Sequence, residues 1–157
     1  MATLTEIKLE LTGVHLCCQG CVNAADAALR SVEGVNSLCE MENGTITVMA
    51  SDAIAAQKGL DALAFAGFYG NSDHDQLAMK AASHIPAGKV KSLKISGIHN
   101  CCGPCCEAIK GALSTVKGVT GNTAKPRETT FAVTGDFYAA DLVKALNTAG
   151  FSAQVKQ

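Results

Sequence analysis

The stretch GVHLCCQGC at residues 13–21 occurs a second time, as GIHNCCGPC at residues 97–105. Both copies read G-[VI]-H-x-C-C-x-x-C, and each lies between a predicted strand and a predicted helix. The similarity continues to the end of each copy, where LAFAGF at residues 63–68 aligns with LNTAGF at residues 146–151. The chain is therefore a tandem repeat of two related units, each about 70 residues long.

Each unit is predicted to contain two helices. Apolar residues at helical spacing place the first helix at about 19–32 and 103–116, directly after the cysteines. The second helix is expected at about 52–66 and 137–149. The predicted caps are Asp52 and Asp136 at the N-termini, and Gly34, Gly67, Gly118 and Gly150 at the C-termini.

Strands are predicted before, between and after these helices. In the first unit the hairpin turn Asn43-Gly44 joins two strands at about 35–41 and 45–50. The first strand is marked by apolar residues at Leu4, Ile7, Leu9 and Leu11, and in the second unit at Val90, Leu93 and Ile95. The last, short strand begins at a predicted core residue, Phe68 or Phe151. The order predicts an α+β protein with two ferredoxin-like βαββαβ sandwiches in tandem, each with both helices on one face of its sheet.

The repeat also predicts where the units begin and end. We expect the first domain at 1–74, a linker at 75–87 and the second domain at 88–157. Residues 76–82 have the composition for a helical turn or two. Fully extended, such a linker reaches on the order of 40 Å. The linker therefore allows the two cysteine loops to face each other but does not require it.

The repeated motif supplies ligands for soft metal ions. In the pairs Cys18/Cys21 and Cys102/Cys105, one sulfur lies in a loop and the other in the first helical turn, so both sulfurs can reach one ion. The partial positive charge at a helix N-terminus favours the thiolate form. Thiolates select Cu(I), Zn(II) and other thiophilic ions, so the four cysteines are predicted metal ligands.

Further donors flank each pair. Cys17 and Cys101 precede the first cysteine of each pair, and His15 and His99 lie two residues earlier, which raises the donor count to four per loop. Adjacent side chains point in different directions, so an outward orientation of Cys17 and Cys101 is the alternative. For the two histidines the alternative is a role in shaping the loop or in hydrogen bonding to a thiolate.

The remaining cysteines and histidines fall outside the repeated donor set. Cys39 lies alone in a strand and is predicted to be a small core residue. Cys106 is predicted to lie on the helix flank, away from the donors. His74 and His84 lie near or in the linker and are predicted to be solvated.

The composition excludes several classes of protein. Among the 157 residues, 48% are hydrophobic and 17% charged, which is typical of a globular chain. A net charge of -1 and 4% aromatic residues argue against nucleic acid as a partner. No segment approaches the roughly 20 apolar residues that span a bilayer, so no membrane partner is expected. The N-terminus lacks the features of a signal peptide, so we expect a cytoplasmic protein, or a periplasmic or exported one if a leader has been removed.

The β-α-β-β-α-β order, the CxxC between strand and helix, and the closing Ala-Gly-Phe resemble heavy-metal-associated domains. These are the soft-metal modules of copper chaperones, metal-transporting P-type ATPases and mercury-binding proteins. The resemblance covers both units and implies Cys18, Cys21, Cys102 and Cys105 as the metal-binding positions. The usual family motif is G-M-x-C-x-x-C, whereas this chain has H-x-C-C-x-x-C. A linear two-coordinate Cu(I) site, a His/Cys site of three or four ligands, and a thiolate-bridged Cu(I) cluster are therefore all open.

The sequence predicts a soft-metal-binding protein that acts as a chaperone, buffer or detoxification module. Cu(I) is the first candidate, Zn(II) and Hg(II) are further ones, and a metal-transporting or metal-accepting protein is the expected partner. One alternative is a thiol–disulfide oxidoreductase, because residues 102–105 read CGPC. The other is a structural zinc protein with three Cys and one His per unit. No Ser/His/Asp set, carboxylate pair or phosphate-binding loop stands out, so we expect no enzyme activity.

Overall fold

The computed structural model describes residues 6–156, and this part of the chain forms two α+β units in tandem. Each unit contains a four-stranded antiparallel sheet and two helices that contact each other and the sheet. The predicted strand residue Leu4 lies outside the described residues. The first unit consists of β1 (Ile7–Thr12), α1 (Gln19–Arg30), β2 (Val35–Glu40), β3 (Thr45–Ala50), α2 (Ala53–Phe65) and β4 (Asn71–Ser72). The second consists of β5 (Lys89–Ser96), α3 (Gly103–Ser114), β6 (Val119–Asn122), β7 (Phe131–Tyr138), α4 (Ala139–Thr148) and β8 (Gln154–Lys156).

The strand order of each sheet confirms the predicted ferredoxin-like sandwich. The first sheet has the order β2-β3-β1-β4 and the second has the order β6-β7-β5-β8. The first and third strands of each unit are therefore central, with Leu9 opposite Val48 and Leu93 opposite Val133. All four side chains are buried, because strand alternation directs them to the face that the helices cover.

Each unit has its own apolar core. In the first unit, Leu29 of α1 and Leu60 of α2 are fully buried against the sheet, and in the second unit Ile109 and Leu142 take the same role. The predicted core positions of Phe68 and Phe151 are confirmed, since both side chains are fully buried. Burial of this kind gives each unit an apolar driving force for folding that does not depend on its cysteines.

The helix ends agree only in part with the predicted caps. The Asp52 carboxylate accepts a hydrogen bond from the backbone N–H of Ala55 at 2.8 Å, so it caps α2 as predicted. The prediction of Asp136 as a cap is wrong, because β7 continues through it and buries Phe137 opposite Val90.

None of the helices within residues 6–156 is long and apolar enough to cross a lipid bilayer.

Gly34 and Gly118 are turn residues and do not cap helices. The helices before them end earlier than predicted, α1 at Arg30 and α3 at Ser114. Both glycines are left-handed, with φ of +83° and +93°. Their carbonyls accept hydrogen bonds from the backbone N–H groups of Ser51 and Asp136, at 2.9 Å in both cases. The two glycines therefore lead the chain into the next strand of each sheet.

The segment between β4 and β5 contains no helix, so the helical turn predicted at 76–82 is absent. Leu77 and Met79 are buried in the core of the first unit. The sulfur of Met79 accepts a hydrogen bond from the backbone N–H of Gly70 at 3.2 Å. Alternating burial of these two side chains favours an extended backbone over a helical one. Both histidines of this region are predicted to be solvated. His84 is exposed as predicted, whereas His74 is half-buried and therefore less exposed than predicted.

The two units meet through a short antiparallel backbone contact, here called the inter-unit bridge (residues 67–69 and 150–152). The backbone N–H of Tyr69 donates to the Gly150 carbonyl at 3.0 Å, and that of Ser152 donates to the Gly67 carbonyl at 2.8 Å. Each glycine carbonyl also accepts from the histidine of the other unit's motif, at 3.4 Å. The bridge therefore joins equivalent residues of both units symmetrically and turns the two cysteine loops toward each other.

Close approach at this bridge requires glycine. A Cβ on Gly67 would collide with the backbone of His99, and a Cβ on Gly150 would collide with the backbone of His15. Both glycines also have positive φ, at +98° and +94°. The two residues predicted as helix caps thus also form the contact between the units.

Candidate metal centre

Six cysteine sulfurs, three from each unit, lie together at the inter-unit bridge. Within this group, here called the sulfur cluster, ten pairs of Sγ atoms are 3.5–4.0 Å apart, and every sulfur has at least three such neighbours. The members are Cys17, Cys18, Cys21, Cys101, Cys102 and Cys105. All six predicted cysteine donors are therefore brought to one place.

The strand–loop–helix geometry positions these sulfurs. Cys18 and Cys102 are the residues before the first turn of α1 and α3, and both have extended backbones. Cys21 and Cys105 lie in those first turns and are fully buried. The N-termini of both helices therefore meet at the sulfur cluster, where their partial positive charges favour thiolates.

The cluster is shared between the units. The sulfurs within each CxxC pair are 3.7 Å and 3.8 Å apart. Contacts between units are as short, with 3.7 Å between Cys21 and Cys105 and 3.5 Å between Cys17 and Cys105. A linear two-coordinate ion needs its sulfurs about 4.6 Å apart, twice a metal–thiolate bond of about 2.3 Å. These spacings therefore suit three or four ligands per ion better than two.

The two motif histidines lie at the same centre. The Nε2 atom of His99 is 3.2 Å from the sulfur of Cys21, which belongs to the other unit. The Nε2 atom of His15 is buried and has no hydrogen-bond partner among the residues that the structure describes. A buried ring nitrogen without a partner costs free energy, so this atom is suited to bind an ion.

Each histidine ring is held by a phenylalanine from the other unit. His15 stacks on Phe151 with a centroid distance of 4.5 Å, and His99 stacks on Phe68 at 4.2 Å. These contacts repeat the symmetry of the inter-unit bridge. They fix the rings beside the sulfurs and cover that side of the centre with apolar surface.

Among residues 6–156, three groups of histidine and cysteine donors stand out, each with all its ligand atoms within 4.8 Å of one another. Two of the sets combine one histidine with three cysteines, and both contain Cys21 and Cys105 as shared members. The sets are His15/Cys17/Cys21/Cys105, Cys21/His99/Cys101/Cys105 and Cys17/Cys18/Cys102. All eight predicted site residues belong to at least one set.

Burial keeps both histidines neutral. It lowers the pKa of His15 below its usual value. The pKa of His99 is lowered to about 4, first by burial and second by the nearby His15. Near pH 7 each ring therefore has a nitrogen lone pair that is free to bind a metal ion.

The thiols differ in how readily they ionise. The pKa of Cys18 is lowered to about 6, chiefly because the backbone N–H of Cys21 favours its thiolate, although the side chain makes no regular capping hydrogen bond. Loss of hydration is the main cause of the raised pKa values of Cys17, Cys101 and Cys105. Sulfurs this close cannot all be charged at once, so binding of a cation releases their protons.

The other two cysteines have structural positions. Cys106 is buried in the core of the second unit. Cys39 is half-buried, and its thiol donates to the Asp26 carboxylate at 3.3 Å. Burial, followed by this carboxylate, raises the pKa of Cys39 to about 12. Neither cysteine belongs to a compact donor set in the described part of the chain.

Asn100 is a loop residue whose role the sequence does not reveal. Its side-chain amide donates to the carbonyls of Lys125 and Glu128 at 2.8 Å and 2.9 Å. It is buried beside Cys101 and ties the cysteine loop to the loop between β6 and β7. The equivalent residue of the first unit is the apolar Leu16, so the repeat pattern contains no signal for this contact.

Comparison with known proteins gives only weak likenesses. No protein-family model matches the chain, and no curated protein matches it. Among solved structures, the chain is similar to the N-terminal soluble domains of Bacillus subtilis CopA, with 15% identity, 99% of this chain and 97% of that chain covered, and a TM-score of 0.35. It is also similar to the first two RRM domains of the yeast poly(U)-binding protein Pub1, with 9% identity, coverage of 96% and 98%, and a TM-score of 0.27.

Proposed function

We propose that this protein binds soft metal ions, with Cu(I) as the main cargo, and that it is a tandem heavy-metal-associated protein acting as a buffer or detoxification module. The observation that carries the proposal is the meeting of six thiols and two neutral imidazoles at one centre. Thiolates bind Cu(I) in preference to hard cations. This donor set fits a protein that binds metal ions and does not act as an enzyme.

The choice among soft ions follows from the spacing of the donors. Zn(II) prefers four ligands in a tetrahedron, and each His-containing set offers three sulfurs and one nitrogen. Several groups of three sulfurs have all their mutual distances within 4.0 Å, and Cu(I) accepts three thiolates. Zn(II) and Hg(II) are therefore competitors for the same donors, with Cu(I) the better match.

Burial of the centre supports storage over rapid transfer. Cys21 and Cys105 are fully buried and lie between the units. Cys17 is exposed, and Cys18 and Cys102 are half-buried. A metal-donating or metal-accepting protein would reach the cluster from this edge. Incoming thiols would exchange with these outer sulfurs first. Release of an ion held by the inner sulfurs then requires several exchange steps and is slow.

An anaerobic competition titration with a colorimetric Cu(I) chelator tests the proposal. The full-length reduced protein should remove Cu(I) from the chelator, and a Cys21→Ser/Cys105→Ser variant should lose most of this capacity. Cys39→Ser is the matched control, because this thiol lies outside the donor sets, and it should bind like the parent protein. Failure of the parent protein to withdraw Cu(I) would overturn the proposal.

Thiol–disulfide exchange is a second candidate, and one observation favours it. Cys18 has a pKa lowered to about 6 and lies 3.7 Å from the sulfur of Cys21, the arrangement of a reactive thiolate beside a resolving thiol. An oxidoreductase should catalyse insulin reduction by dithiothreitol. Catalysis by the parent protein that disappears in Cys18→Ser would support this candidate, and the absence of catalysis would exclude it.

A further inference from the structure

We infer that the sulfur cluster holds a single polynuclear Cu(I)–thiolate cluster of four ions, shared by the two units, and not one ion per CxxC pair. This inference rests on the proposed function and specifies the cargo of the same centre. Its basis is the pattern of contacts among the six sulfurs, which contains four closed triangles.

Two inner triangles share the side between Cys21 and Cys105, which are equivalent residues of the two units. Cys17, Cys21 and Cys105 form the first, with sides of 3.5, 3.5 and 3.7 Å. Cys21, Cys101 and Cys105 form the second, with sides of 3.6, 3.7 and 3.7 Å. Each corresponds to the other when the units are exchanged. Both contain sulfurs from each unit, so an ion in either triangle would link the two units.

Two outer triangles flank the inner pair. Cys17, Cys102 and Cys105 form one, with sides of 3.5, 3.8 and 3.8 Å. Cys18, Cys21 and Cys101 form the other, with three sides of 3.7 Å. These two are again related by the exchange of units. The four triangles are therefore two symmetric pairs, which is the symmetry expected of one shared cluster.

The size of the triangles suits three-coordinate Cu(I). With a metal–thiolate bond of about 2.3 Å, three sulfurs in a plane around one ion are about 4.0 Å apart. The observed sides of 3.5–3.8 Å need only a small expansion to reach this value. Neighbouring triangles share a side, so ions in them would be bridged by thiolates.

Charge balance favours filling all four triangles. Six thiolates carry six negative charges, and four Cu(I) ions reduce this to two. With only two ions, the remaining sulfurs would either carry uncompensated charge in a half-buried centre or stay protonated as thiols, which are poor metal ligands. The helix N-termini of α1 and α3 supply roughly half a positive charge each and offset part of the remainder. Cys21 and Cys105, which are fully buried, gain most from this neutralisation.

The histidines distinguish the inner positions from the outer ones. His15 groups with the sulfurs of the first inner triangle and His99 with those of the second. Inner ions can therefore take a nitrogen as a fourth ligand, whereas the outer triangles belong to no compact set that includes a histidine within residues 6–156. A fully loaded protein should thus contain two kinds of copper site.

Anaerobic titration of the full-length protein with Cu(I), followed by copper K-edge X-ray absorption, tests this inference. The parent protein should saturate at four ions per chain, with sulfur neighbours, a minor nitrogen contribution and a short copper–copper distance. A Cys18→Ser/Cys102→Ser variant removes one corner of each outer triangle. It should saturate at two ions and show a larger share of nitrogen neighbours.

The controls keep the outcomes distinct. Cys39→Ser should still bind four ions, because Cys39 lies outside the sulfur cluster. Tight Cu(I) binding that stops at one or two ions, without a copper–copper distance, would overturn the cluster and leave the proposed function intact. Absence of tight Cu(I) binding would overturn both. If the double variant does not fold, the stoichiometry and absorption spectrum of the parent protein decide the question.

Discussion

The two cysteine loops hold equivalent sulfurs by different means. In the first unit, the backbone N–H of Val14 donates to the Gly44 carbonyl of the hairpin turn at 3.0 Å, and Leu16 is buried as an apolar anchor. In the second unit the corresponding backbone bond, from Ile98 to Thr129, is longer at 3.4 Å. There Asn100 anchors the loop through two carbonyls of the neighbouring turn.

This difference shows which features the site requires. The sulfur contacts are symmetric between the units, whereas the supports beneath them are not. Leu16 contributes by burying apolar surface and Asn100 by polar contacts, yet both place the following cysteines in the same way. The positions of the donors are therefore constrained more tightly than the chemistry that holds each loop.

The largest expected effect comes from separating the two loops. In Gly67→Ala the new Cβ collides with the backbone of His99 and also meets an unfavourable positive φ. We expect the units to come apart and the shared centre to be lost, leaving only separate CxxC pairs. Small-angle scattering should show a larger radius of gyration, and Cu(I) stoichiometry should fall.

Gly88→Ala is the matched control for this change. Gly88 also has a positive φ, of +74°, but has open space around its Cβ position. It should carry the backbone cost without moving the units apart. An unchanged copper stoichiometry in Gly67→Ala would show that the inter-unit bridge does not assemble the site.

A smaller effect separates the two loop anchors. Leu16→Ala removes a buried side chain and should lower the free energy of unfolding by about 2–4 kcal/mol. Asn100→Ala should cost only about 1 kcal/mol, because Lys125 and Glu128 are exposed and their carbonyls can return to water. Chemical denaturation of the two apo variants measures both values, and equal losses would contradict the comparison.

The pH dependence of stability should depend on His99. Its pKa of about 4 in the folded protein lies below the value of 6.5 in the unfolded chain. As the pH falls, the unfolded state therefore binds the extra proton first. The contribution of His99 to the free energy of unfolding is fully present above about pH 6.5 and is lost as the pH falls toward 4. The full change in pKa corresponds to about 3 kcal/mol, and partial solvent screening of the ring reduces the expected loss to roughly 2 kcal/mol in the metal-free protein.

His99→Ala should remove this part of the pH dependence. Any remaining change in the free energy of unfolding with pH should then come from other titratable groups. Urea denaturation at several pH values between 4 and 7 provides the measurement. If the free energy of unfolding changes equally with pH in the parent protein and in His99→Ala, the protonation of His99 is not linked to folding.

The smallest effect is expected from removing metal. Both units have complete apolar cores apart from the sulfur cluster, so the chelated, reduced protein should keep its circular dichroism spectrum and melt cooperatively. Bound metal should only raise the melting temperature by mass action. Loss of helical signal in either unit on chelation would instead support the structural zinc alternative.

The sequence predicts the architecture well because each unit repeats the same local signals. Alternating apolar residues and the Asn43-Gly44 turn define the strands of the first sheet, and the strand order follows from the motif type. Asp136 is misread because an acidic residue before an apolar run resembles a cap, whereas burial of Phe137 extends β7 past it. The helical turn predicted at 76–82 is wrong because Leu77 and Met79 pack into the core of the first unit, and this packing is not visible in the local sequence.

The donor residues are predictable, but their sharing between units is not. The CxxC spacing predicts a pair of metal ligands in each loop, and the repeat predicts two such pairs in the chain. The joint centre depends on carbonyls of Gly67 and Gly150 that accept hydrogen bonds from the opposite unit. In the sequence, each of these glycines follows a helix, as an ordinary C-terminal cap does. The sequence of one unit therefore does not predict its contact with the other unit.

The inter-unit bridge joins two halves of the same polypeptide, and this has a kinetic consequence. Loops on separate molecules would have to meet by diffusion, and their pairing would fade on dilution. Here the tether keeps each loop at a fixed, high effective concentration relative to the other. Closure of the centre is therefore a first-order event, equally complete in a cell that makes few copies of the protein and in one that makes many.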